Sequence, residues 1–169
     1  MTEITSIRNK LFSQPEHSVY AVLDGASIPN LPHQLDEFAA HYSCLFTGQL
    51  DVEIRQVAPY LVRLEQDDDF TEWLISKGWG NHWGIFATAP DYIPYKDVRR
   101  HLRDLTEARG IDDEPVFFRY YDPRVFRVFA PTCDNERYKA ILGPLNYLFA
   151  EGEDPSTMLT YTRGDDEMI

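Results

Sequence analysis

The chain has 169 residues, 28 Asp and Glu against 16 Lys and Arg, and a formal net charge of -12. That length suits one domain with a real core, and the charge sets the global field against phosphate backbones and anionic lipid surfaces, so no nucleic-acid partner is expected. Two cysteines, Cys44 and Cys133, far apart and outside any CxxC spacing, exclude a disulfide framework and a cysteine-based structural zinc site.

No apolar run has signal-peptide length at the N-terminus, and none approaches the roughly 20 residues of a spanning helix, so a soluble cytoplasmic protein without membrane insertion is expected. Residues 1–18 read as an N-terminal extension. "SVYAVLDGA" then gives a strand apolar on both faces, with Asp24-Gly25 punctuating it as a turn. After the prolines of "SIPNLPHQ", "LDEFAAHY" predicts a short helix leading to the apolar strand "SCLFTG". "APYLVRL" is a second clear strand. Asp67, Asp68 and Asp69 follow it where a cap and a first-turn carboxylate belong, Phe70, Trp73 and Leu74 fall at helical spacing, and Gly78 supplies the stop.

"HWGIFATA" predicts another strand, and "IPYKDVRRHLRDLTEARG" a helix running from a proline to Gly110 around Val98, Leu102 and Leu105. "PVFFRYYD" returns to strand character. Asp122-Pro123 has the order of an N-cap and a first helical residue, so Asp122 is read as a structural cap for a helix through Phe129, ending before Pro131. "DNERYKAILGP" predicts one more helix, and "LNYLFA" and "MLTYT" predict final strands around the polar loop "EGEDPS". The alternation implies an α/β fold: a single domain with a mixed β-sheet covered by α-helices, in which residues 19–23, 60–64, 84–87 and 116–121 share one sheet.

Residues for chemistry are sparse. His17, His33, His41, His82 and His101 form no HExxH or comparable ligand pattern, so no metal and no cofactor is expected. Asp97 and His101 at i, i+4 read as an exposed helix pair. Cys133, just before a helix start at Asp134, is the best nucleophile candidate, because a helix macrodipole there lowers a thiol pKa. No GxSxG and no phosphate loop occurs, and "GWGNHWGIF" reads as a tight turn packing Trp79 and Trp83 inward.

The cations are segregated. Between Tyr95 and Ala130 lie eight of the sixteen basic residues against seven acidic ones, so this window is near neutral in an acidic chain. Arg99 and Arg103 share a helix face, Arg100 is placed to pair with Asp104, and Arg119, Arg124 and Arg127 cluster around the Asp122 corner. Either they pair internally with carboxylates, or they form a recognition surface with Tyr120 and Tyr121, since arginine and tyrosine are enriched as interface anchors.

In order along the chain, "YAVLDGAS", "CLFTG", "APYLVRLEQDDDFTEWLISKGWGNHWGIF", "VRRHLRDLTEARG" and "FFRYYDPRVFRVFAPTC" followed by "GP" resemble the domain-of-unknown-function 4123 family, the adaptor chaperones of bacterial type VI secretion. The resemblance runs from about Tyr20 to Pro144, giving an adaptor-like α/β domain over residues 19–144. It implies a non-enzymatic role: binding a cognate secreted toxin effector and helping to load it onto the spike protein VgrG. It supplies no catalytic residue. Family members often continue into a helical C-terminal lobe, whereas residues 145–169 here read as strands and an acidic tail containing Glu151, Glu153, Asp154, Asp165, Asp166 and Glu167, either a solvated end or a shield for a basic partner segment. The rival expectation is a small thiol-dependent hydrolase or transferase using Cys133 and a histidine.

Overall fold

The computed structural model describes residues 3–109 and 115–163. In chain order they form α1 (Glu3–Leu11), β1 (His17–Asp24), α2 (Leu31–Glu37), β2 (His41–Cys44), α3 (Val52–Val57), β3 (Pro59–Leu64), α4 (Asp69–Gly78), β4 (Gly84–Pro90) and α5 (Tyr95–Asp104). There follow β5 (Glu107–Arg109), β6 (Pro115–Phe117), α6 (Pro123–Phe129), a 3-10 turn (Ala130–Thr132), α7 (Asn135–Leu142), β7 (Tyr147–Glu151) and β8 (Met158–Thr162).

A six-stranded sheet has the order β2-β3-β1-β4-β7-β8. Its central strand β1 is buried along almost its whole length because helices cover both faces, which is why its sequence is apolar without alternation. On one face Tyr20, Val22, Leu61, Ile85 and Ala87 pack with Val98 and Leu102 of α5, Phe126 of α6, and Ile141 and Leu142 of α7. On the other, Val19, Ala21, Leu23, Val62 and Phe86 pack with Ile7 and Leu11 of α1, Leu31 and Leu35 of α2, and Phe70 and Leu74 of α4. The period-2 geometry of a strand sends successive residues into these two separate cores.

The expected α/β domain, one sheet covered by helices, is present. Its pairing is narrower than the mixed order expected, since all five ladders are antiparallel. The membership of the sheet is corrected. Residues 19–23, 60–64 and 84–87 share the sheet, but the fourth run does not: β6 pairs with β5 in a separate two-stranded ribbon, and residues 118–121 are irregular. Tyr120 and Tyr121 are buried there by packing over the sheet face, and an aromatic run records burial without specifying a ladder.

The helix expected to run to Gly110 also ends early, at Asp104. The chain turns through Leu105 and Thr106 into β5, and the Phe118 N–H donates to the Thr106 carbonyl at 2.8 Å. Asp68 stands at the N-cap of α4 without making a capping bond. Pro32 lies in the first turn of α2, so helix begins earlier than the prolines suggested. The stop at Gly110 and the carboxylates Asp165, Asp166 and Glu167 lie outside the described residues.

β7 supplies Leu148 and Ala150 to the first core and Phe149 to the second. Leu148→Ala is therefore expected to cost roughly 2–5 kcal/mol, the range for emptying a buried leucine site. Thermal unfolding followed by circular dichroism checks this; a loss well under 1 kcal/mol would make β7 peripheral.

Candidate functional site

The two stretches "LDGAS" and "RYYDPR" are separated by some ninety residues of sequence and meet at one end of the sheet. β1 ends at Asp24, whose carboxylate is fully buried. It accepts hydrogen bonds from the Ala26 N–H at 3.0 Å, the Ser27 hydroxyl at 2.9 Å and the Arg119 guanidinium. The backbone beside it is equally constrained. The Asp24 N–H donates to the Trp83 carbonyl, the Gly25 N–H donates to the Ala58 carbonyl, and a Cβ on Gly25 would stand 2.4 Å from that same oxygen. Only glycine allows the last turn of α3 to approach so closely.

Asp122 is the N-cap of α6, as its sequence predicts. Its Oδ1 accepts from the Arg124 N–H at 2.9 Å, and Pro123 occupies the first turn. The same carboxylate receives Arg124 Nε at 3.1 Å and Nη2 at 3.0 Å, and Arg119 lies 3.8 Å away. Burial by itself raises the Asp122 pKa. The hydrogen bonds from the Arg124 side chain and backbone, with the charges of Arg124 and Arg119, outweigh it and hold the carboxyl below its ordinary value. Arg119 thus bridges Asp24 and Asp122, tying the β1 turn to the α6 cap.

The tyrosines serve the interior. The Tyr120 hydroxyl donates to the Leu102 carbonyl at 2.6 Å, and burial raises its pKa far above the ordinary phenol value. Tyr121 is pushed up to about 12, by burial first and by the Asp24 charge second. Neither ring is offered to solvent, with exposures of 1% and 4%.

The remaining arginines divide. Arg103 donates to the carbonyls of Cys44 and Leu45, both at 3.1 Å, and so covers the end of edge strand β2. Arg99 lies over the Tyr95 ring at 5.9 Å. Arg127 donates to the carbonyls of Glu151 and Gly152, at 3.4 and 3.2 Å. Arg100 pairs with Asp97 instead of Asp104, which leaves His101 to a different partner. Its Nε2 stands 2.6 Å from the Ile141 carbonyl, and Gly143, at φ +53°, packs against the imidazole where a Cβ would clash. Burial lowers the His101 pKa, and the Ile141 bond acts against that shift.

Cys133 is buried, and burial pushes its thiol up, with Arg137 lowering and Asp134 raising it by smaller amounts. This is opposite to the activation expected from the helix start. A cleft of about 650 Å3 opens elsewhere, against Tyr42, Cys44, Phe46, Leu50, Arg55 and Tyr60.

Sequence reasoning missed three things here. Asp24-Gly25 has the look of a turn alone, although an ionisable side chain closing the apolar run over residues 19–23 signals a buried charge in need of a partner. Glu151, read as part of a polar loop, is 3% exposed and accepts from the Gly80 and His82 N–H groups at 2.6 and 3.0 Å. The His82 Nδ1 lies 2.8 Å from the same carboxylate, without the alignment of a hydrogen bond. Val125 and Val128 were the third. In "PRVFRVF" apolar residues occur all round a seven-residue helix, so one apolar strip must face outward.

The family model described as "Domain of unknown function (DUF4123)" matches residues 19–140, and the chain belongs to that family. The match spans both halves of the corner, while β7 and β8, which complete the sheet, lie beyond it. No curated protein and no solved structure matches the chain.

Asp122→Ala is expected to cost about 1–2 kcal/mol, the usual range for losing a cap. Because the folded carboxyl lies below its unfolded value of roughly 3.9, its stabilisation is complete above that value and is lost as pH falls through the folded pKa. Asp122→Asn keeps a capping oxygen but removes the charge. Acid unfolding of this variant should be flatter below about pH 4; an unchanged acid limb would remove the ionic role of Asp122.

Proposed function

We propose that this DUF4123 member is a non-enzymatic adaptor that binds a secreted toxin effector of a bacterial type VI system in the cytoplasm and helps to load it onto VgrG. One observation carries the reading: the motif residues are committed to structure, and what they leave at the surface suits binding. Asp24 is saturated by three donors, Asp122 is occupied as a cap, and Tyr120 is buried on a backbone carbonyl. A general acid or base needs a proton position open to a substrate, and these groups have theirs filled.

At the surface of the same corner stand the guanidinium groups of Arg119 and Arg124, about half exposed, beside Val125 and Val128. Arginine next to apolar surface is the composition of an interface anchor. Arg99, Arg119, Arg124 and Arg127 remain the contact candidates with side chains at or near the surface, while Arg103, Tyr120 and Tyr121 support them from inside. The alternative, a thiol enzyme at Cys133, requires activation of a buried thiol whose surroundings raise its pKa.

A tagged chain should retain the toxin encoded beside its gene, and VgrG with it, through affinity purification. Retention of neither by the folded protein would end the adaptor assignment. Single alanine variants then separate support from contact. Arg103→Ala should lower stability by about 1–2 kcal/mol through its two lost carbonyl partners and leave binding by the folded fraction intact. Arg124→Ala should weaken toxin binding by about 2 kcal/mol, as truncation of a central anchor does. Unchanged affinity for Arg124→Ala would move the contact surface away from α6.

A further inference from the structure

The outward strip of α6 is left unused by the packing that fixes this helix. Pro123 and Phe126 are buried, and Phe126 meets the Tyr161 ring edge-on at 4.9 Å. Arg124, Val125 and Val128 face solvent, with Val128 71% exposed. Val125 and Val128 are i, i+3 neighbours, and Arg124 and Val128 are i, i+4 neighbours, so all three lie on one side of the helix.

Charge on this strip is sorted by depth. The side chains of Arg119 and Arg124 are 46% and 51% exposed, whereas those of Asp24 and Asp122 are 1% and 4% exposed. An approaching group therefore meets guanidinium first, with the compensating carboxylates behind it. Arg124 gives Nε and Nη2 to Asp122, and a guanidinium has five N–H donors, so it retains capacity for a second carboxylate. Asp24 and Asp122 balance the two charges, but the outermost groups of this face are guanidinium and apolar side chains, on a chain of net charge -12.

We propose that α6, with Arg119, is the docking face for an acidic amphipathic segment of a partner protein. The apolar side chains of that segment cover Val125 and Val128, and its carboxylates take the outward N–H groups of Arg119 and Arg124. The adaptor reading is needed only to say that the segment belongs to the toxin.

The test uses two synthetic peptides of about 15 residues, with leucines at the same positions and either glutamate or lysine at every polar position. Their binding to the full chain is followed by fluorescence anisotropy at about 0.15 M salt, where charges beyond roughly 8 Å are screened. The net charge of the protein favours the lysine peptide, whereas the α6 face favours the glutamate peptide. The expected result is at least a tenfold preference for the glutamate peptide, lost by tenfold or more in both Val128→Asp and Arg124→Gln. Melting temperature should be preserved in Val128→Asp, because the Val128 side chain is 71% exposed.

Preference for the lysine peptide, binding of neither, or indifference to both substitutions would overturn the proposal. So would self-association of the wild-type chain abolished by Val128→Asp, because the occupant would then be a second copy. These outcomes are independent of toxin retention: a chain that retains its toxin but prefers the lysine peptide refutes the docking face alone.

Discussion

Placing a carboxylate in the protein interior is tolerated only where hydrogen bonds and an opposite charge replace its hydration, and Asp24 is such a group. Ser27 and the Ala26 N–H come from its own turn, but the cation must come from elsewhere, and it comes from Arg119. That requirement draws the segment after β6 across the end of the sheet. With Arg119 in place, Tyr120 and Tyr121 are carried into the core beneath it, and Asp122 arrives where α6 begins.

The same end of the sheet contains a further buried carboxylate, Glu151, at the close of β7. Antiparallel register sets Leu23 opposite Gly84 and Phe86 opposite Phe149, so the ends of β1 and β7 flank the start of β4. Glu151 holds the Gly80 and His82 amides of the loop entering β4, and Arg127 of α6 reaches the Glu151 and Gly152 carbonyls. Three acidic side chains, Asp24, Asp122 and Glu151, are thereby each satisfied at one edge of the molecule. Under the proposed adaptor function such rigidity favours binding, since less conformational freedom is lost when a partner docks. The outward strip of α6 keeps apolar surface exposed, with Val128 at 71% and Val125 at 36%.

Much of this was legible in the sequence where local rules act alone. Asp122-Pro123 announced its cap, "MLTYT" its strand, and the run from Phe70 to Gly78 its helix, because capping and periodicity depend on neighbours in the chain. What failed depended on distant partners. "FFRYYD" carries strand-like aromatics, yet Phe118, Tyr120 and Tyr121 pack over the sheet, and only β6 pairs, with β5. The roles of Arg103 and Arg119 were equally hidden, since the Cys44 carbonyl and the Asp24 carboxylate lie far from them in sequence. The arginine window was visible as a charge pattern, but pattern does not reveal which cations turn inward.

The bond between Asp24 and Arg119 is the point on which the corner depends, and a double-mutant cycle on stability isolates it. Asp24→Asn, Arg119→Gln and the double variant are unfolded in urea alongside the wild type, all at neutral pH. The expected coupling is about 1–3 kcal/mol, the range for groups sharing one network, with Asp24→Asn the milder single change because it removes the charge that Arg119 answers. Strictly additive losses, with coupling under about 0.5 kcal/mol, would mean that the two motifs merely lie side by side and that the corner is held by apolar packing alone.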